Sequence, residues 1–324
     1  MTENRTKRIG VLTSGGDSPG MNATIRAVVR AAISYGMEVY GIRRGYDGLI
    51  KGDMYQLFTR DVSEKLHAGG TFLMTARSEE FMTLEGREKA AEKIKIFGLD
   101  AVICIGGDGT FRGAKELSEL GVDVIGIPAT IDNDVACTEY TIGFDTALNT
   151  AMEAIDKLRD TSSSHRRCSV IQVMGRHAGY IAYRVGIASG AEVTLIPEIP
   201  FDINEDVNRL VLEGLNMGKH HFVVVVAEGA GSAEELAKEI EKATNIETRA
   251  TVLGYIQRGG RPTIEDRYTA SLMGIRAVEC VVEGRKNRLV IRRNSKIDDI
   301  DIVEGLAMKN SITEEQMNRI KLLF

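Results

Sequence analysis

Apolar residues along this chain fall in short continuous runs, each followed by glycines and then by a helical pattern. The run IGVL at 9–12 leads into TSGGDSPG and then NATIRAVVRAA, whose apolar residues recur at spacings of three and four. The same order returns in AVICIGGDGTFRGAKEL at 101–117, SVIQVMGRHAGYIAYRVGIASG at 169–190 and FVVVVAEGAGSAEELAKEI at 222–240. Further strand candidates lie at 39–43, 122–128, 193–197 and 289–292. Uninterrupted Val/Ile strands alternating with helices predict parallel sheets covered on both faces. The four copies fall two in each half, so two similar α/β domains are expected. In such sheets ligands sit beyond the carboxyl ends of strands, where the glycine turns lie. No Pro- or Ser-rich linker divides the halves, and TSSSH at 161–165 is expected as a polar loop after a long helix. A chain without a linker is expected to cross between its domains more than once.

Composition narrows the functional classes. The 324 residues suffice for two cores, and 43% hydrophobic with 27% charged residues is ordinary for a globular enzyme. A net charge of -5 argues against general affinity for nucleic acid or anionic membrane. No apolar run approaches the roughly 20 residues of a membrane span, and the run after MTENRTKR is too short for a signal peptide. Cys104, Cys137, Cys168 and Cys280 are scattered without a CxxC pair, so buried thiols are expected in a reduced, cytoplasmic protein.

The glycine turns carry the candidate chemistry. In GGDSPGMN, at 15–22, backbone N–H groups before a helix can bind an anion without side-chain charge. The loop serves equally as a tight strand-to-helix turn. GGDGT, at 106–110, places Asp108 where a magnesium–phosphate group could be reached, though an Asx turn explains it as simply. The dinucleotide spacing G-x-G-x-x-G fails there at Arg112. PATIDND, at 128–134, puts two carboxylates after a buried strand. Asp132 is a candidate base for phosphoryl transfer to a hydroxyl, and Asp134 its supporter or a metal-shell partner, against the alternative of a capped turn. Arg77, Arg167, Arg176, Arg249 and Arg258 lie in loops near strand ends, and guanidinium forks suit phosphate. Singly each fits a solvated surface residue; together they point to a doubly phosphorylated site. Five histidines show no ligand spacing.

GGDSPGMN, GGDGT, TIDND, TSSSH, MGR at 174–176, ETR at 247–249 and YIQRGG at 255–260 stand in the order found in bacterial 6-phosphofructokinases. The chain resembles that family over essentially its whole length. The resemblance implies two Rossmann-like domains with mainly parallel sheets and an active site in the cleft between them. The domains would comprise 1–142 with 256–306, binding ATP, and 143–255 with 307–324, binding fructose 6-phosphate. It implies transfer of the γ-phosphoryl group of Mg-ATP to the sugar 1-hydroxyl. ATP would contact Gly16, Tyr46, Arg77, Ser78, Gly107, Asp108, Gly109 and Thr110, with Tyr46 near the adenine and Mg²⁺ on Asp108. Asp132 would take the hydroxyl proton, while Thr130 and Arg176 steady the phosphoryl group. The sugar phosphate would meet Thr130, Ile131, Asp132, Met174, Gly175, Arg176, Glu228, Tyr255, Ile256, Gln257 and Arg258, with Arg167 and Arg249 from a neighbouring subunit. A homotetramer is implied, with an effector site for ADP as activator and phosphoenolpyruvate as inhibitor. Matching effector positions are Arg26, Arg30, Arg159, Gly190, Glu192, Lys219, His220 and His221.

Three positions depart from the family pattern. Tyr255 replaces a histidine facing the sugar phosphate, Met217 a basic residue of the effector pocket, and Ala129 a glycine before TIDND. The pyrophosphate-using branch carries an aspartate after GGD and a lysine before TID; here these are Gly109 and Ala129, which favours ATP. A non-catalytic regulatory subunit would be expected to lose Asp132 or Asp108, and both remain. An NAD or lipid kinase would explain GGDGT but leave TIDND and MGR without a purpose.

Overall fold

The computed structural model describes residues 6–320 and 323. The chain forms two compact units, one of residues 1–145 with 258–310 and one of 146–257 with 311–324.

In the first unit the order is β1 (Arg8–Thr13), α1 (Met21–Ser34), β2 (Glu38–Ile42), α2 (Gly45–Lys51), β3 (Met54–Leu57), α3 (Leu84–Phe97), β4 (Ala101–Gly106), α4 (Asp108–Glu119) and β5 (Val124–Pro128). The second unit follows with α5 (Phe144–His165), β6 (Cys168–Val173), α6 (Tyr180–Ser189), β7 (Val193–Leu195), α7 (Arg209–Asn216), β8 (Phe222–Ala227), α8 (Ala233–Thr244) and β9 (Thr248–Val252). The chain then returns to the first unit with α9 (Ile264–Val282), β10 (Arg288–Arg293), β11 (Lys296–Asp301) and α10 (Ile302–Ala307), and ends in the second with α11 (Glu314–Ile320).

Seven strands form the first sheet, in the order β11-β10-β5-β4-β1-β2-β3. Its interior is parallel, and antiparallel strands close both edges. The second sheet, β7-β8-β6-β9, is parallel throughout. Every residue of β4, β5 and β8 is buried, which explains their uninterrupted apolar sequences. Ile9, Val11, Ile103 and Val28 join one face of the first core, while Leu12, Val102, Phe111 and Leu117 join the other. The two faces are thus filled by alternate residues of the same strands.

One sequence expectation is corrected. TSSSH is the last turn of α5, not a loop. Two of its serines find partners nearby: Ser164 Oγ donates to the Asp160 carbonyl at 2.9 Å, and buried Ser162 shares a hydrogen bond with Ser169. The four cysteines are all buried and free. Burial pushes the Cys104 and Cys168 thiols up to about 12 and Cys137 to about 11, so they stay protonated and unreactive.

Candidate active site

Three glycine- and aspartate-bearing loops leave the carboxyl ends of β1, β4 and β5, which are neighbours in the first sheet. The loops are bound to one another. Ser14 N donates to the Ile105 carbonyl at 3.0 Å, Ala129 N to the Gly106 carbonyl at 2.9 Å, and Thr110 Oγ1 to the Ser14 carbonyl at 3.1 Å. Gly106 is required by this closeness, since a Cβ there would lie 2.3 Å from Thr110 Oγ1 and 2.4 Å from the Ser14 oxygen.

Gly107 caps α4 without any side-chain hydrogen bond, so the helix presents its first N–H groups outward. No heavy atom lies within 4 Å of a Cβ built on Gly109. Gly16 is exposed, and its own Cβ position would be 3.3 Å from the Arg258 guanidinium carbon. A helix start, two exposed glycines and a guanidinium thus stand together, a geometry suited to phosphate.

Asp108 is partly exposed and bonded at 2.8 Å to Arg112, one turn along α4. Such a pair contributes only about 0.3–0.5 kcal/mol and yields readily to a stronger ligand. Among the described residues no group of three or more His, Cys, Asp or Glu could hold a metal. A carboxylate beside a helix start suited to phosphate fits magnesium, which binds through one or two carboxylates, waters and phosphate oxygens.

The TIDND turn is built from within. Asp132 N donates to Thr130 Oγ1 at 3.2 Å, and Asn133 adopts the left-handed region at φ 52°. Asn133 Oδ1 accepts from Thr141 N at 2.9 Å, and Thr141 Oγ1 donates to the Thr130 carbonyl at 2.6 Å. Ile131 is buried and anchors the turn, leaving Asp132 half-buried and Asp134 exposed. A Cβ on Gly107 would lie 3.5 Å from Thr130 Cβ, so this turn borders the start of α4.

Tyr46 is 5% exposed. Its ring stacks on Phe81 at 3.9 Å, and its hydroxyl donates to the Thr110 carbonyl at 2.6 Å. It supports α4 from beneath and offers a ligand only its remaining edge. Ser78 Oγ accepts from Phe81 N at 3.3 Å, while Arg77 is exposed. Asn22, the last residue of GGDSPGMN, has a role that sequence reasoning missed. Its amide donates to the Ala68 and Gly69 carbonyls at 3.2 and 2.9 Å and accepts from Phe72 N at 2.8 Å, clamping the segment that leads to Arg77.

In the second unit, Met174, Gly175 and Arg176 leave β6 beside Glu228, which follows β8. Gly175 has φ 136°, and a Cβ there would lie 2.3 Å from the Ala178 carbonyl oxygen. Arg176 is also left-handed, at φ 57°, and its N–H donates to Glu228 Oε1 at 2.8 Å. Met174 N donates to buried Gln257 at 3.3 Å, while Tyr255 and Ile256 are 78% and 59% exposed. Arg167 and Arg249 lie at the opposite end of this sheet, before β6 and early in β9. Both grip Glu247, at 2.7 and 2.5 Å, and the Arg167 hydrogen bond holds the Glu247 carboxyl below its ordinary value. The seven residue steps from Arg167 to Met174 span about 23 Å at about 3.3 Å each, so the two groups form separate sites within one chain.

The expected effector residues come from both units. Arg26 and Arg30 lie on α1 in the first unit, half-buried and exposed. In the second, Arg159 donates to the Ser189 carbonyl, and Lys219 pairs with Glu192, which also accepts from Val223 N at 2.6 Å. Gly190 caps α6 at φ 61°, His220 is exposed, and His221 is half-buried.

Backbone donors at helix starts, a positioned carboxylate and arginines mark a phosphoryl-transfer enzyme. Comparison with known proteins makes this specific. The phosphofructokinase family pattern matches residues 8–281. The ATP-dependent 6-phosphofructokinase of Clostridium tetani is 54% identical over 317 residues, covering 98% of this chain and 99% of the relative. The phosphofructokinase structure from Saccharomyces cerevisiae superposes with a TM-score of 0.85 at 35% identity, over 93% of this chain and 45% of that one. That from Pichia pastoris, described as in the T-state, gives 0.89 at 35% identity, over 94% of this chain and 36% of its own. The chain therefore spans less than half the length of these two yeast chains. It belongs to the phosphofructokinase family and is a phosphotransferase.

Proposed function

We propose that this enzyme transfers the γ-phosphoryl group of ATP to the 1-hydroxyl of fructose 6-phosphate, giving fructose 1,6-bisphosphate and ADP. The observation that carries this reading is the convergence of GGDSPGMN, GGDGT and TIDND at three adjacent strand ends, with open space at Gly109.

In this reading Gly16, Arg77, Ser78 and the 107–110 loop bind the nucleotide phosphates through N–H groups and a guanidinium. Asp108 is the carboxylate that would hold magnesium through its water shell. The bound ion would supply charge neutralisation at the phosphates. Asp132 accepts the proton of the attacking hydroxyl, and Thr130 fixes the turn that carries it. Little other covalent chemistry is needed, because phosphoryl transfer depends mainly on positioning and charge. Met174, Gly175, Arg176 and Glu228 bind the sugar phosphate, with Arg176 contributing charge to the transferring group. Arg167 and Arg249, at the far end of their sheet, serve the sugar phosphate of a neighbouring copy in a homotetramer. ADP and phosphoenolpyruvate act at the effector residues.

The test is product formation from fructose 6-phosphate with ATP or pyrophosphate as donor, with and without magnesium. Fructose 1,6-bisphosphate formed with ATP and magnesium supports the reading. Turnover with pyrophosphate alone overturns it.

A further inference from the structure

Behind the TIDND turn runs a short segment, Tyr140-Thr141-Ile142-Gly143, with no assigned role. It is tied at both ends to Asp266, near the start of α9, whose side chain is fully buried. Asp266 Oδ1 accepts from the Tyr140 hydroxyl and from Gly143 N, both at 2.6 Å. Burial and the Asp266 charge push the Tyr140 hydroxyl far above its ordinary range, so it remains a donor. Ile142 N donates to the Pro128 carbonyl at 3.0 Å, and the Ile142 carbonyl accepts from buried Ser18 Oγ at 3.0 Å. The segment is therefore pinned to β5, to GGDSPGMN and to α9 together.

From this anchored segment Thr141, itself fully buried, reaches the turn that bears Asp132. Its hydroxyl meets the Thr130 carbonyl at 2.6 Å and Asn133 Oδ1 at 3.2 Å, and its N–H meets Asn133 Oδ1 at 2.9 Å. These bonds fix the residues on either side of Ile131-Asp132. They also hold Asn133 in the left-handed conformation from which the chain reverses.

We propose that Thr141 is a positioning residue for Asp132, held in place by Asp266. It touches neither substrate nor nucleotide. Its hydroxyl sets where the Asp132 carboxylate stands, and Asp266 prevents the supporting segment from yielding. The inference rests on the proposed role of Asp132 as base. Placement matters because an error of about 1 Å in a reacting group can cost on the order of 100-fold in rate.

The experiment compares Thr141→Val with Thr141→Ser in the full-length protein. Valine keeps the volume and loses the hydroxyl; serine keeps the hydroxyl and loses the methyl. A positioning role predicts kcat about 10–100-fold lower in Thr141→Val, with KM for fructose 6-phosphate within about twofold of wild type. Thr141→Ser should recover most of that loss. A purely packing role predicts the reverse order, with valine benign and serine harmful. Amide hydrogen exchange at Asp132 gives a second measure that needs no substrate: it should quicken in Thr141→Val and not in Thr141→Ser. Asp266→Ala should lower kcat like Thr141→Val, whereas Asp266→Asn, which keeps a carbonyl oxygen as acceptor, should lower it less. Absence of fructose 6-phosphate turnover in the wild type would count against the proposed function, leaving the exchange comparison to judge the Thr141 role. Unchanged kcat and unchanged exchange in Thr141→Val would overturn that role.

Discussion

Gly109 shows how one side chain separates folding from function. Its Cβ position faces open space, and it stands in the first turn of α4, where a carboxylate favours the helix dipole. Gly109→Asp should therefore fold and gain about 0.5–1 kcal/mol of stability, since glycine is a poor helix residue. The same carboxylate would stand where a nucleotide phosphate is proposed to bind. Like charges about 4 Å apart repel by up to ~4 kcal/mol at an effective dielectric near 20, so kcat/KM for ATP should fall at least ~10-fold even after solvent screening. Thermal unfolding and ATP kinetics on one preparation check both halves. Stability and ATP use that fall together would mean only that the helix start was damaged. Residues of this kind stood out in the sequence as glycine pairs at strand ends, although such a pair alone serves equally as a tight turn. Asp266 was not legible, because its partners are distant in sequence, Gly143 lying 123 positions away. Nor was Thr141, because its bonds to Thr130 and Asn133 arise only from the way the TIDND turn folds back on it. Tyr46 was expected near the adenine only through the family resemblance, and its hydroxyl bond to the Thr110 carbonyl of α4 was not readable from the sequence.

Among the elements, the parallel interior strands were readable from their apolar runs, because burial on both faces removes the need for polar residues. Strands β3, β9 and β11 were not. MYQL, TRATV and KIDDID carry mixed or polar side chains suited to sheet edges, where one side of the strand meets solvent or charge. The TSSSH turn misled because serine favours loops in general, yet here the Ser162 and Ser164 hydroxyls find partners beside and inside α5. The end of α7 carries an element-level prediction. Met217 caps it and is 83% exposed, beside a Lys219 already engaged by Glu192. A cation there would be tolerated at a helix C-terminus and would add an uncommitted charge. Met217→Lys should strengthen phosphoenolpyruvate inhibition by about 10–100-fold, the worth of one charge-assisted hydrogen bond of about 1.5–3 kcal/mol. Sugar-phosphate affinity titrated against phosphoenolpyruvate in both proteins checks it, and an unchanged response would remove Met217 from the proposed effector site.

At the scale of the whole molecule, stability against acid depends on a buried charge cluster in the first unit. The Asp299 side chain is fully buried on β11 and meets Arg276 at 2.6 Å, Arg285 at 3.1 Å and Arg288 at 2.6 Å. Burial alone would raise its pKa, but hydrogen bonds from Arg276 and Arg288 outweigh burial and hold it at about 2, below the ordinary 3.8. A depressed carboxylate stabilises the fold fully above its unfolded value and loses that contribution as pH falls toward the folded one. Between pH about 4 and 2 the protein should thus lose roughly 2 kcal/mol from this residue. Asp299→Asn should destabilise by about 3 kcal/mol near neutrality, because the arginines lose their anion. Denaturant unfolding at several pH values should show that gap narrowing below pH about 4. A gap independent of pH would mean the cluster acts by packing. For function, the central claim is that the three loops present Asp132 as the base of phosphoryl transfer. The most direct measurement is the single-turnover rate of fructose 1,6-bisphosphate formation by wild type and Asp132→Asn, at saturating ATP and magnesium, with fructose 6-phosphate binding measured separately. The predicted result is a rate lower by at least about 10²–10⁴-fold with sugar-phosphate binding retained. A rate close to wild type would contradict the claim.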